Sequence, residues 1–131
     1  MSHYITIKDP IRCREVGERA LAIDGSPADC VILAMAGALP VTPDVVISGI
    51  NIGPNLGTDI IYSGTVAAAR QAAIHRVPGI ALSLDTYEAP FHLEPLARFV
   101  AERLDELLQL WNDEHFININ APNTPDAGKA L

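Results

Sequence analysis

The sequence predicts an α/β protein with a three-layer, doubly wound and mostly parallel sheet. Short apolar or β-branched runs alternate with helical segments along the chain, which is the order that produces a parallel sheet covered by helices. One of these runs is followed by a glycine-rich loop and an alanine-rich helical segment, as in sheets that bind ligands at their carboxyl edge. A chain of 131 residues suits one domain, so we expect a single unit over residues 1–131.

The predicted elements follow from local hydrophobic patterns and from turn residues. In chain order they are a strand at 20–24, a helix at 27–39, a strand at 45–47, a helix at 63–76, a strand at 80–85, a helix at 90–111 and a strand at 116–122. The segment before residue 20 has room for one or two edge strands. Residues 123–131 show no periodicity, and we expect them to form a loose tail.

Each predicted helix has its own signal. Ser26 and Pro27 suit the cap and the first turn of the first helix. That helix is apolar almost all round, which predicts that it is buried and that Cys30 lies in the core. The second helix is rich in alanine and ends at a proline–glycine pair. The third has apolar residues at intervals of three and four from Leu93 to Trp111.

The composition narrows the choice of partners. Nine Lys and Arg against sixteen Asp and Glu give a net charge of −7, which is not the basic footprint of a protein that binds nucleic-acid polymers or anionic membranes. No apolar run is long enough to span a membrane. The two cysteines form no metal-binding motif and fit a reducing cytoplasm. We therefore expect a cytoplasmic protein in which any anionic ligand needs a local source of positive potential.

The segment SGINIGPNLGTDIIYSGTV, from Ser48 to Val66, is the richest in glycine and asparagine. It follows the β-branched run Val45–Ile47, which is typical of a central strand in a parallel sheet. Its glycine spacing matches neither the dinucleotide-binding fingerprint nor the P-loop. The composition and the position favour a rigid loop that holds an ion or a phosphate, and a disordered linker is the alternative.

Two parts of this segment are candidate ligand contacts. Ser63, Gly64 and Thr65 lie at the predicted start of a helix, where free N–H groups and the helix dipole favour a phosphate. The alternative is that Ser63 is simply an N-cap. Asn51 carries a neutral oxygen of the kind that binds Mg²⁺, Mn²⁺ or Ca²⁺. The alternative is that Asn51 is simply a turn residue, since asparagine is common in turns and tolerates positive φ.

Three segments, DGSPADCVILA, PDVVISGINIGPNLGTDIIYSGTVAAA and FININAP, together resemble SurE, the survival protein family of 5′/3′-nucleotidases. The resemblance extends from about Ile5 to Pro122, and its centre is the pattern SGINxGxNxGxDxxYSGTV. It implies a Rossmann-like SurE fold and a divalent-metal-dependent phosphomonoesterase that releases phosphate from nucleoside 5′- or 3′-monophosphates. It also implies a homo-oligomer, either a dimer or a tetramer, in the complete protein.

The resemblance assigns roles to several positions. Asn51 would ligate a divalent cation, Mg²⁺ or Mn²⁺, with one cation per subunit. Ser63, Gly64 and Thr65 would contact the substrate phosphate. The positions assigned to shaping the loop are Gly49, Gly53, Asn55, Gly57 and Asp59.

The sequence also departs from the family pattern. Family members begin with a strand that ends in Asn-Asp-Asp-Gly, whose aspartates are principal metal ligands, and no NDDG occurs in these 131 residues. We therefore expect a partial SurE-like domain, incomplete at both ends and inactive by itself, with its catalytic residues unassigned. Val45–Ile47 would then lie near an exposed edge of the sheet. The alternative function is a non-catalytic fragment that binds phosphate weakly or pairs with another chain, and an unrelated α/β binding module is a third hypothesis.

Overall fold

The computed structural model describes residues 4–125 of the chain. In that range the elements are β1 Cys13–Gly17, β2 Ala20–Ile23, α1 Pro27–Leu33, β3 Val46–Ile52, α2 Asp59–Tyr62, α3 Gly64–Ile74, β4 Gly79–Asp85, α4 Leu93–Glu102, α5 Leu104–Leu110 and β5 Ile117–Pro122. A π-helical segment, Ala34–Ala38, continues α1. None of the helices described is long and apolar enough to cross a membrane.

β3, β4 and β5 form a parallel three-stranded sheet with β4 in the centre. β4 is buried from Gly79 to Leu84, because helices cover both of its faces. Ile80 and Leu82 pack against α4 and α5 on one face, and Ala81 packs against α3 on the other. Helices on two sides of a parallel sheet make three layers, so the predicted fold class is confirmed.

The first predicted strand is not part of this sheet. Ala20–Ile23 pairs antiparallel with Cys13–Gly17 in a separate two-stranded sheet. The prediction that residues 20–24 belong to the parallel sheet is therefore wrong, and the strand before residue 20 is a hairpin partner of β2. The physical reason is the short turn between the two strands, in which Arg19 has φ 60. A turn of this length returns the chain beside itself, and that pairing must be antiparallel.

The helix predicted at 27–39 changes from α- to π-helical geometry and is less buried than expected. α1 ends at Leu33, and Gly37, at φ 93, interrupts the π-helical segment that follows. Val31 is buried against α3, but Cys30 is exposed, so placing Cys30 in the core is wrong. An all-apolar helix predicts burial on every side, whereas α1 packs on α3 through one face.

The helix predicted at 90–111 is divided into α4 and α5 at Arg103, whose φ is −113 and ψ 17. Leu96 and Val100 on α4 and Leu107 on α5 still join one apolar cluster with β4. The apolar periodicity continues across the break, so it predicts the buried face correctly but not the interruption. The guanidinium of Arg103 lies 5.5 Å from the centre of the Phe99 ring.

β3 is longer than the strand predicted at 45–47 and forms an edge of the sheet. Among the strands described it pairs with β4 alone, and Ile47 and Ile52 are exposed. The expectation of an exposed edge is therefore confirmed for the described residues. Because β3 continues to Ile52, the first five residues of the glycine-rich segment are strand and not loop.

The segment after β5 is tied to the connection between β4 and α4. The N–H of His92 donates to Oδ1 of Asn123 at 2.9 Å, and Nδ2 of Asn123 donates to the carbonyl of Pro90 at 2.9 Å. Asn123, the first residue of the tail predicted at 123–131, is thus held in place. Residues 126–131 of that tail lie outside the described range.

Asp29 is a buried carboxylate that the sequence reasoning missed. It is 1% exposed and accepts hydrogen bonds from the N–H and hydroxyl of Thr6 and from those of Ser26, at 2.8–3.0 Å. Ser26 in turn accepts the N–H of Asp29 at 3.2 Å, which completes a capping box. Burial acts to raise the pKa of Asp29, but the four hydrogen bonds outweigh it and hold the pKa below its ordinary value.

We expect Asp29→Asn to remove part of the pH dependence of stability in acid. A lowered pKa means that the ionised carboxylate stabilises the native state above the unfolded pKa, about 4, and that this stability is lost as pH falls towards the folded pKa. Urea unfolding from pH 7 down to pH 3 checks this. The difference in unfolding free energy between wild type and Asp29→Asn should shrink as the pH falls. The control is Asp24→Asn, at an exposed position, and its difference from wild type should be smaller than that of Asp29→Asn at neutral pH. A constant gap for Asp29→Asn would contradict the assignment.

Gly79 allows β4 and α3 to approach closely. A Cβ at this position would lie 2.0 Å from the carbonyl oxygen of Ala69, so Gly79→Ala must push α3 away from the sheet. We expect it to lower the free energy of unfolding by about 1–3 kcal/mol in urea titrations. In the control Gly17→Ala the new Cβ meets Ala20 Cβ at 3.6 Å, and its effect should stay below about 0.5 kcal/mol. Equal effects would show that the helix–strand contact is not tight.

Candidate functional site

The connection between β3 and α3 lies at the carboxyl edge of the parallel sheet. It leaves the C-terminal end of β3 and enters α3, which packs back along β3 and β4. β4 and β5 end at the same edge, because all three strands are parallel. In sheets of this topology the carboxyl edge is where ligands bind.

An irregularity in β3 determines where Asn51 lies. Val46, Ile47 and Ser48 pair with consecutive residues of β4, but Asn51 pairs with Ser83, so β3 contains one extra residue. A bulge of this kind turns the following side chain towards a new direction. Gly49 lies in it at φ 120, and a Cβ there would be 2.4 Å from the carbonyl oxygen of Leu82. That conformation and that contact require glycine.

The side-chain amide of Asn51 has a defined orientation. Its Nδ2 donates to the carbonyl oxygens of Ile52 at 3.1 Å and Gly53 at 2.8 Å, while its Oδ1 accepts no hydrogen bond from residues 4–125. A free amide oxygen is a suitable cation ligand. Yet the described residues contain no group of three His, Cys, Asp or Glu that could hold a metal ion. The role of Asn51 as a cation ligand therefore stays a prediction.

Asn55 is the centre of a buried polar network. It is 6% exposed. Its N–H donates to Oδ1 of Asn120 at 2.7 Å, and its Nδ2 donates to Oγ of Ser83 at 2.7 Å. Its carbonyl oxygen accepts from Nδ2 of Asn118 at 2.9 Å and from Nδ2 of Asn120 at 3.3 Å. The loop is thereby fastened to both β4 and β5.

Sequence reasoning assigned Asn55 to the loop but missed its partners Ser83, Asn118 and Asn120. A signal was present in the last strand, where two asparagines alternate with isoleucines. Residues two apart in a strand lie on the same face, so Asn118 and Asn120 form a polar stripe in an otherwise apolar strand. The sequence does not show what such a stripe faces.

The other positions assigned to shaping the loop occupy different environments. Gly53 has φ 96, its N–H donates to the carbonyl of Leu84 at 3.0 Å, and a Cβ there would be 2.3 Å from Cε1 of Tyr87. Gly57 has φ 54, and a Cβ added there would have no heavy atom within 4 Å. Asp59 is the exposed first residue of α2, and its carbonyl accepts the N–H of Ser63 at 3.0 Å.

Ser63 caps α3, as its N-cap interpretation predicts. Its Oγ accepts the N–H of Val66 at 3.2 Å. The hydroxyl proton of Ser63 remains free to donate, because this bond uses the oxygen as an acceptor. Gly64 is buried, Thr65 is half-buried, and the first N–H groups of a helix have no partner within it. Capping and anion binding are therefore compatible here, and the phosphate contact stays a prediction.

Fold and site together define a class: a parallel α/β protein whose rigid glycine- and asparagine-rich loop leads into a helix N-terminus at the carboxyl edge of the sheet. Helix N-termini placed in this way bind phosphate and related anions. Comparison with known proteins gives the family. The profile described as Survival protein SurE matches residues 1–130, and the chain belongs to this family. The resemblance predicted from the three sequence segments is thus confirmed.

Individual relatives agree with this assignment. The chain is 44% identical to the 5′-nucleotidase SurE of Desulforudis audaxviator (strain MP104C), over 98% of this chain and 53% of that protein. It is 45% identical to the 5′-nucleotidase SurE of Treponema pallidum (strain Nichols), over 92% of this chain and 67% of that protein. The crystal structure of the SurE protein from Aquifex aeolicus has a TM-score of 0.85 at 37% identity and covers 93% of this chain. The chain spans about half the length of the Desulforudis and Aquifex proteins.

We expect Asn55→Ala to lower the free energy of unfolding by about 1–3 kcal/mol, because it leaves the buried hydroxyl of Ser83 without its partner. Urea unfolding at neutral pH measures the change. Asn112→Ala is the matched control, since Asn112 is exposed and its side chain accepts one N–H, that of Glu114. Equal stability of the two variants would contradict the anchoring role of Asn55.

Proposed function

We propose that this chain supplies the phosphate-binding part of a phosphomonoesterase that acts on nucleoside 5′- or 3′-monophosphates. Its membership of the SurE family and relatives named 5′-nucleotidases support this. The structural observation that carries the proposal is the loop after β3, which is fastened to β4 and β5 at Asn55 and ends at the capped start of α3.

In this proposal Ser63, Gly64 and Thr65 bind the substrate phosphate. The segment Ser48–Val66 contains no Lys or Arg, so within this segment the positive potential comes from the N–H groups and the dipole of α3. Gly64 has no side chain that would keep the phosphate from the backbone, and the hydroxyl of Thr65 adds a donor. The bulge and the asparagine network keep this helix start in a fixed relation to β3.

We also propose that Asn51 gives its Oδ1 to a divalent cation, Mg²⁺ or Mn²⁺, with one cation per subunit. The free oxygen and the fixed amide support this assignment. The described residues contain no group of three His, Cys, Asp or Glu that could hold the ion, so in this proposal carboxylate ligands are supplied from outside residues 4–125. Mg²⁺ is usually bound through one or two carboxylates, and carboxylate oxygens also suit Mn²⁺.

The exposed edge strand β3 supports a second candidate function. In it the chain binds phosphate weakly, or pairs with another chain through the edge strand β3, and does not turn a substrate over.

For either function we propose a partial SurE-like domain over residues 1–131, a cytoplasmic location and a homo-oligomer. The net charge of −7 argues against nucleic-acid polymers as partners.

One assay separates the two functions. The 131-residue chain is incubated with AMP or GMP in Mn²⁺ or in EDTA, phosphate release is followed, and phosphate binding is measured in parallel. Release that requires Mn²⁺ supports the nucleotidase. Binding without release supports the non-catalytic module. If neither binding nor release is detected, the proposed phosphate site is overturned.

Thr65→Val should weaken the binding of inorganic phosphate by about tenfold or more, because a hydrogen bond to a charged group is lost. Valine matches threonine in shape, so α3 should remain folded. Isothermal titration or amide chemical shifts measure the affinity. Thr58→Val is the matched control, since Thr58 is exposed and its hydroxyl makes no capping bond to α2. Unchanged affinity in Thr65→Val would remove Thr65 from the site.

A further inference from the structure

Tyr87 is an exposed aromatic side chain at the carboxyl edge of the sheet. It follows the end of β4 by two residues and packs against Gly53, where an added Cβ would lie 2.3 Å from ring atom Cε1 and 2.9 Å from Cζ. The residue is nevertheless 74% exposed. Its ring therefore rests on the loop with one part and is open to a ligand with the rest.

The main chain holds Tyr87 and the loop together. The carbonyl oxygen of Leu84 accepts the N–H of Gly53 at 3.0 Å and the N–H of Thr86 at 2.8 Å. The hydroxyl of Thr86 also accepts the N–H of Glu88 at 3.1 Å, which orders the turn that carries Tyr87. The ring is thus positioned relative to the segment that runs from Asn51 to the start of α3.

The exposed ring of Tyr87 and its neighbours in the chain suit a flat and neutral group. Large apolar side chains are also exposed in the segment that contains Gly53; they are Ile52, Leu56, Ile61 and Tyr62. The exposed acids Asp85 and Glu88 lie on either side of Tyr87 in the chain. They would repel a second phosphate group and leave an uncharged aromatic base unaffected. Aromatic side chains bind such bases by stacking, which strengthens binding severalfold or more for each stacked base.

We infer that Tyr87 stacks on the base of a nucleoside monophosphate whose phosphate lies at Ser63–Thr65. This inference rests on the proposed function and names the residue that distinguishes nucleotides from other phosphomonoesters. Every base has an aromatic face, so stacking selects for the presence of a base and not for one base over another.

The test compares the affinity of the 131-residue chain for AMP and for ribose 5-phosphate, which share the sugar phosphate and differ in the base. Titrations are run in EDTA and in Mn²⁺, for wild type, Tyr87→Leu and Tyr87→Phe. Tyr87→Leu should weaken AMP binding by about fivefold or more and change ribose 5-phosphate binding by less than about twofold. Tyr87→Phe keeps the ring and should keep AMP affinity. Tyr4→Leu, the same change at a second exposed tyrosine, should leave both affinities unchanged.

The outcomes separate this inference from the function on which it rests. If ribose 5-phosphate binds but AMP binds no better, or if Tyr87→Leu weakens both ligands alike, stacking is overturned and the phosphate site stands. If wild type binds neither ligand, the proposed phosphate site fails and the inference fails with it. Should Tyr87→Leu not fold, the wild-type ratio of the two affinities decides, and a ratio near one overturns the inference.

Discussion

The fastening of Asn55 to β4 and β5 is the interaction on which the candidate site depends. Buried polar groups need partners, and Asn55 finds them for its N–H, its carbonyl and its side-chain amide on two neighbouring strands. Those strands are held by the apolar cluster beneath α4 and α5. The position of the loop is therefore set by the packing of the core, and with it the relation between Asn51, the start of α3 and Tyr87.

Electrostatics adds a second constraint. The chain carries a net charge of −7, while the ligand we propose is an anion. Ser48–Val66 contains no Lys or Arg, so within this segment the attraction comes from oriented N–H groups, whose effect falls off within about one helical turn. The divalent cation proposed at Asn51 would add to it. Because the N–H groups act over so short a distance, binding requires a loop of fixed geometry.

Signals that act within a few residues made much of the fold predictable. The cap at Ser63, the buried run of β4 and the alternation of strands and helices could all be read from neighbours in sequence. The pairing of β2 with β1 was missed although the short turn between them is a local signal. The open face of Cys30 could not be read from neighbours, because it depends on which surfaces meet. The same holds for the site: Asn55 and Asn120 are 65 residues apart, and no local pattern connects them. Tyr87 was missed for a similar reason, since its contact with Gly53 joins the ends of two different strands.

The structure separates the buried, hydrogen-bonded residues of the loop and its neighbouring strands from less buried residues at the same edge of the sheet. Asn55 and Ser83 are buried and hydrogen-bonded to each other, so changing them acts first on folding. Thr65 is half-buried and Tyr87 is exposed at the same edge, so under the proposed function we expect changes there to act first on affinity. The loop can therefore keep its shape when the exposed residues at this edge of the sheet are substituted. The stacking inferred for Tyr87 can thus be removed or strengthened by substitution without disturbing the asparagine network that fixes the loop.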